Sequence, residues 1–375
     1  MNLYRRERKI EVSFFTIPIV LYLAWISACT AKQVPATWQG ECVGRLAFSL
    51  PGPADVASMT ADQFLRDSSD RAYKFDDGEA AFYSHFQYGA HVAMTGPLTE
   101  SQIKTLMANQ RERFQKVSKE VAAGSITAGD YSQLNIQKLN ASDEGYGWKL
   151  FNASEIRYVA FLPVSGHAVR WSVSGSALQA PQIGEDFDKA SRGVRSRRIF
   201  QIPPEKGVCM PHLFIQDNGD DSAGRLVAAT YRLRDHPDVT IMLKDATATG
   251  VPSNGSDGQY SAISQSNYFW TQDYQQAKSV KSLLNGSHSK VKLAGQMGVE
   301  TMFRIERENN TVDYGYLVVV RGDPIAKRDT PDLMMYVISN ADNARKKGKA
   351  PISKDAFFAM AQSIAASVRH RDANR

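Results

Sequence analysis

The residues of this 375-residue chain whose types and spacing could do chemistry are few, among them Cys29, Cys42 and Cys209, the Ser-x-x-Lys spacings Ser101 to Lys104 and Ser287 to Lys290, and the acidic run Asp217-Asn218-Gly219-Asp220-Asp221. A thiolate can accept an acyl group or pair with a second sulfur. A lysine three residues after a serine can activate it, but the Ser-Asp-Asn and Lys-Thr-Gly companions that such sites use are missing. The acidic run lacks the Asp-x-Asp-x-Asp-Gly order and distant glutamate of a calcium loop, and reads as a turn. There is no Gly-x-Ser-x-Gly elbow, His-Glu-x-x-His, phosphate loop or Gly-x-Gly-x-x-Gly. The seven histidines are scattered and, with the cysteines, make up no complete metal-ligand set. The sequence therefore nominates no catalytic residue, no cofactor and no metal site, and the reading is of a protein that is not an enzyme.

The three cysteines divide once the N-terminus is read. Arg5, Arg6, Arg8 and Lys9 open the chain, residues 14–26 are an apolar run, and Ile26-Ser27-Ala28-Cys29 follows. A run of 13 residues falls short of the roughly 20 a helix needs to cross a bilayer and matches a signal-peptide core. Ile26-Ser27-Ala28-Cys29 resembles a bacterial lipobox, which would make residues 1–28 a lipoprotein signal peptide and Cys29 the lipidated N-terminus of the mature chain. Small residues let the extended segment enter a peptidase, and the thiol is the acylated nucleophile. Thr30, rather than aspartate, follows Cys29, which under the lipoprotein sorting rule implies the outer membrane. The alternatives are an uncleaved anchor or an ordinary signal. Residues 29–41 would then be a short tether.

With Cys29 assigned to lipid, Cys42 and Cys209 remain, an even pair in an exported, oxidising compartment. They form either a disulfide or two buried free thiols. A disulfide would close a loop worth roughly 4 to 5 kcal/mol in loop-entropy models. Without residues 1–28 the balance is 41 Lys/Arg against 37 Asp/Glu, a net of +4 instead of +6. That is too mild to argue for nucleic acid, and no aromatic residues interleave with a basic stripe.

The elements that must position these residues are mixed. Length and composition suit two domains. Residues 42–51 read as one strand with Cys42, Gly44, Leu46, Phe48 and Leu50 on one face, ended by Pro51. Short apolar pieces at 80–87 and 91–94 read as strands. Residues 97–121 read as an amphipathic helix with a Thr99/Gln102 capping box and Ile103, Leu106, Met107, Gln110, Phe114, Val117 and Val121 inward. Strands follow at 147–151, 156–164 and 167–175, the last two joined by Ser165-Gly166, then a helix over 183–198 whose basic end suits a helix C-terminus. Residues 202–207 are a rigid break and mark the domain boundary. Beyond it come strands at 213–216, 225–232 and 239–243, an exposed loop over 249–259, a helix over 271–284, strands at 290–294, 299–306, 311–321 and 333–339, and a helix over 353–369. The fold class is α+β: two α+β domains of similar plan, 42–200 and 208–372, each an antiparallel sheet with packed helices, after a signal peptide.

The segment from Cys42-Val43-Gly44-Arg45 to Leu50-Pro51 resembles the start of the immunity proteins paired with lipase effectors of the type VI secretion system. Cys209, leading through His212-Leu213-Phe214 into the strands at 224–233 and 239–243, resembles the C-terminal domain of the same family, the cognate immunity proteins of the fourth lipase class. The resemblance implies an inhibitor without enzymatic activity whose partner is a secreted phospholipase effector, acting on the periplasmic side of the envelope. It agrees with a lipid anchor in the membrane. Other readings are a structural or assembly lipoprotein that docks other proteins, and an exported hydrolase with a dispersed active site.

Overall fold

Where the sequence predicts one strand, the chain makes a hairpin. β1 (Gln39–Val43) and β2 (Leu46–Leu50) pair antiparallel with Cys42 opposite Ala47 and Val43 opposite Leu46. Gly44 turns the chain at φ 58°, in the left-handed region that favours glycine, and a Cβ there would collide with the Asp245 carboxylate. Both arms are buried, so Val43 and Ala47 go inside with Cys42, Leu46, Phe48 and Leu50. A period-2 pattern does not distinguish one half-buried strand from two fully buried ones.

The structure, a computed structural model, describes residue 35 and residues 37–371, apart from 66–72, 124–132, 139–144, 152–153, 220–223, 250–260, 275–276 and 327–328. Cys29, with the signal and most of the tether, lies outside the described residues. No helix among those described is long and apolar enough to cross a membrane.

After the hairpin come β3 (Ala54–Val56), the short helix α1 (Ala61–Leu65), β4 (His85–Tyr88) and β5 (Ala90–Met94). Helix α2 (Glu100–Ala122) starts where predicted: Gln102 N–H donates to Thr99 Oγ1 at 3.2 Å and Thr99 N–H donates to Gln102 Oε1 at 2.8 Å. It buries Ile103, Leu106, Met107, Gln110 and Phe114. Four antiparallel strands follow: β6 (Gln133–Lys138), β7 (Tyr146–Phe151), β8 (Glu155–Val164) and β9 (His167–Ser176). Ser165-Gly166 makes the two-residue turn with both φ positive.

Helix α3 (Ala180–Arg192) stops earlier than predicted, and the chain continues into β10 (Val194–Ser196). β10, β11 (Gly207–Met210) and β12 (Leu213–Gln216) form a three-stranded sheet in the order β10-β12-β11. The helix gives way because Gly193 packs against the Gln216 backbone and Arg197 is drawn inside. β13 (Arg225–Leu233) and β14 (Val239–Ala246) are joined by a turn over 234–238, closed by Val239 N–H on His236 O at 2.8 Å.

The predicted helix at 271–284 is displaced. α4 (Ala262–Tyr268) lies upstream, a π-turn spans Phe269–Asp273, and β15 (Ser279–Ser282) is a strand. Phe269, Trp270 and Tyr274 enter a separate apolar cluster, and Trp270 Nε1–H donates to Thr301 Oγ1 at 2.9 Å. The apolar spacing read as helical is shared between that turn and a strand. β16 (Ser289–Leu293), β17 (Gln296–Glu306), β18 (Val312–Val320) and β19 (Asp332–Ser339) fall where expected. Then come a short helix α5 (Ala341–Lys346), α6 (Lys354–Ser367) capped by Ser353, and β20 (Arg369–His370).

The architecture is α+β with antiparallel sheets. Among the described residues, fourteen strands form one sheet in the order β15-β17-β18-β19-β14-β13-β4-β5-β9-β8-β7-β6, with β16 beside β17 and β3 beside β13. The β4–β13 pairing joins the sheet of the first half to that of the second, and the main hydrophobic core contains residues from both halves.

Candidate functional site

The hairpin's charged and sulfur-bearing residues converge on one junction. Cys42 and Cys209 are joined as a disulfide with Cα atoms 5.8 Å apart, across a sequence separation of 167. The backbone reinforces it: Gly44 N–H donates to Cys209 O and Cys209 N–H to Gly44 O, both at 2.8 Å. Glu41, fully buried, accepts on Oε1 from Cys42 N–H at 2.7 Å and Arg197 Nη2 at 2.6 Å, and on Oε2 from Phe200 N–H at 2.6 Å. Arg197 also donates to Met210 O at 2.8 Å and Cys42 O at 3.1 Å. An arginine read as part of a helix's basic end is thus the buried counter-ion of Glu41. The missed signal was the early stop at Gly193, which takes Arg197 off the helix.

The chain's end closes the junction from another side. β20 pairs with β2, bringing Arg371 beside the disulfide, where Nη1 donates to Gly207 O at 2.8 Å and contacts Cys209 Sγ at 3.3 Å. Nη2 donates to Pro203 O at 3.0 Å, and the guanidiniums of Arg371 and Arg195 lie 5.1 and 4.7 Å from the centre of the Phe214 ring. On the other flank Arg45 N–H donates to Asp245 Oδ2 at 2.7 Å, and Arg45 Nη2 pairs with Asp217 at 3.0 Å. Asp217 also accepts from Tyr88 Oη at 2.7 Å and from Gly219 N–H at 2.8 Å. The aspartate that invited a calcium reading is occupied with an arginine, a tyrosine and its own turn. Among the described residues no group of three or more His, Cys, Asp or Glu could hold a metal ion.

The Ser-x-x-Lys pairs are not brought to a pocket. Ser101 and Lys104 are exposed on the first turn of α2, with Lys104 Nζ on Glu100 at 2.7 Å, and Ser287 and Lys290 are exposed beside β16. The fold does pair histidines that the sequence scatters. His167 and His212 stack with ring centres 4.0 Å apart, and His85 meets His91 edge-on at 5.2 Å. Burial, then His167 and Arg197, push His212 down to about 3, so it stays neutral. No local spacing signals the His167–His212 pair, whereas His85 and His91 lie six residues apart on the two arms of the β4–β5 hairpin.

Residues 201–373 match the family model described as the Tle cognate immunity protein 4 C-terminal domain. That match covers the C-terminal part of the chain, a little under half of its length. The family resemblance drawn from Cys209 and the strands after it therefore stands on the matched residues. Among solved structures, the apo immunity protein TplEi of the type VI secretion system of Pseudomonas aeruginosa is similar over 89% of this chain and 97% of its own, at 17% identity and a TM-score of 0.57. The Tle4-Tli4 complex gives 16% identity and a TM-score of 0.57 over 89% of this chain and 97% of the matched one. TplEi complexed with "L" peptide gives 15% and 0.56, over 90% of this chain and 99% of its own. The expected α+β fold of these immunity proteins extends across both halves. No curated protein matches the sequence.

Proposed function

We propose that this chain is an immunity protein that binds and inhibits a type VI secretion phospholipase effector in the periplasm, with no enzymatic activity of its own. The observation that carries the reading is the family match over 201–373 together with a fold shared, over nine-tenths of the chain, with immunity proteins, one of them in the Tle4-Tli4 complex. Inhibition of this kind needs an interface of about 1,200 Å² or more. Such an area can draw on both halves, which we read as two domains, 42–200 and 208–372, locked together by the shared sheet. The loop at 249–259 is a proposed contact; Thr249 is exposed, and 250–260 lie outside the described residues.

Cys29 is the proposed lipid anchor, after cleavage at 28, and Thr30 after it favours the outer membrane. Tethering holds the inhibitor where a periplasmic lipase attacks phospholipid, so local concentration adds to affinity. The Cys42–Cys209 crosslink is proposed to form on export, where oxidation favours it. The test is protection: periplasmic expression of a type VI secretion phospholipase effector, with and without the chain. Survival only in its presence supports the reading, and equal killing in both cases removes it for that lipase.

A further inference from the structure

A cleft runs between α2 and the face of β7, β8 and β9, with a cavity of about 220 Å³. Sheet register builds its floor. Trp148 lies opposite Val159 and Val159 opposite Ser172, so the three form one row across three strands, and Phe161 lies opposite Arg170 in the next. Phe114 and Val117 of α2 form the roof, with Phe114 stacked on Trp148 at 3.9 Å between ring centres. The lining carries three guanidiniums, Arg113, Arg157 and Arg170, and, among the described residues, no carboxylate. Arg113 is exposed, one helical turn before Val117 and so on the same face. Its Nη1 donates to Leu65 O at 3.1 Å, which holds the head group of the arginine at the cleft.

We propose that this cleft binds a single-chain amphiphile with an anionic head, its acyl chain against Phe114, Trp148 and Phe161 and its head on Arg113. An apolar protein cavity of about 150 Å³ is enough to hold a benzene molecule, so this one takes a stretch of acyl chain. A planar guanidinium suits either oxyanion, by paired hydrogen bonds to a carboxylate or a phosphate. Both a free fatty acid and a lysophospholipid carry that chemistry. The assignment does not rest on the inhibitor reading, and its test uses no lipase, so either can fail alone.

The experiment is equilibrium dialysis of the full chain against decanoate, decyl phosphate and decanol, each below its micelle concentration. The expected result is saturable binding of one molecule of decanoate or decyl phosphate per chain, with decanol weaker by about tenfold, the scale of one charge-assisted hydrogen bond. Tighter decanoate binding identifies a fatty acid as the source, and tighter decyl phosphate a lysophospholipid. Arg113→Gln, at an exposed side chain, should weaken the two anions about tenfold and leave decanol unchanged. Val117→Trp, which fills the cavity, should abolish binding of all three; if that variant fails to fold, Arg113→Gln alone carries the test. Absence of saturable binding, equal binding of decanol and decanoate, or anion binding untouched by Arg113→Gln overturns the proposal.

Discussion

The Cys42–Cys209 junction and the cleft beneath α2 are both built from arginines beside aromatic rings, yet they do opposite things with them. At the junction Arg197 is buried against Glu41, and Arg371 is committed to carbonyls of the 203–207 segment beside Phe214. Beneath α2, Arg113 keeps its head group exposed at the edge of a cavity faced by a stacked Phe114 and Trp148. Burial against fixed acceptors makes an arginine part of the scaffold, whereas exposure beside unfilled apolar space makes it a candidate ligand group. The first region should respond to mutation through stability, the second through binding.

The largest expected effect is at the crosslink. Replacing both Cys42 and Cys209 with alanine should lower unfolding free energy by about 4–5 kcal/mol, the loop-closure value for a separation of this size, read as a shift of the denaturant midpoint. Arg197→Ala comes next, at about 3–5 kcal/mol, because Glu41 is left charged and buried without its counter-ion. If that variant unfolds at the wild-type midpoint, the junction does not lock the fold.

Acid should act on the same side of the comparison. The folded pKa of His212 lies below the ordinary histidine value near 6.5, so the neutral ring is favoured by folding. Its contribution is complete above pH 6.5 and is lost as pH falls towards about 3. His212→Asn, which tolerates the left-handed φ of 60° there, should flatten the decline of stability across that window. An unchanged acid limb would place the sensitivity elsewhere. The smallest effect belongs to the α2 side: Lys104→Ala removes an exposed ion pair and should leave the thermal midpoint unchanged.

How much of this was legible in the sequence follows the same division. Local signals served well: the Thr99/Gln102 box starts α2, Ser353 starts α6, and Ser165-Gly166 turns β8 into β9. Patterns whose meaning depends on distant partners misled. Alternation at 42–51 concealed a buried hairpin, and apolar spacing at 271–284 concealed a π-turn and an edge strand, because Trp270 is held by Thr301 and Ser279–Ser282 by β17. The basic run at 192–198 read as helix-end charge, and only the packing of Gly193 against Gln216 separates Arg197 from it. Counting cysteines nominated Cys42 and Cys209 as a pair. Glu41, Arg371 and the cleft under α2 had no sequence signal, since each depends on register between segments far apart.

Membrane attachment can be separated from inhibition by one further change. Cys29→Ser should abolish incorporation of labelled palmitate into the chain while leaving its affinity for the lipase unaltered; a variant that still takes up label would remove Cys29 as the anchor. The central claim is best tested with purified components, by titrating the chain into a type VI secretion phospholipase effector that it protects against while following release of acyl chains from phospholipid vesicles. Hydrolysis should fall to background at one equivalent of the chain. Hydrolysis undiminished at a several-fold excess, with the two proteins eluting separately from a sizing column, would contradict it.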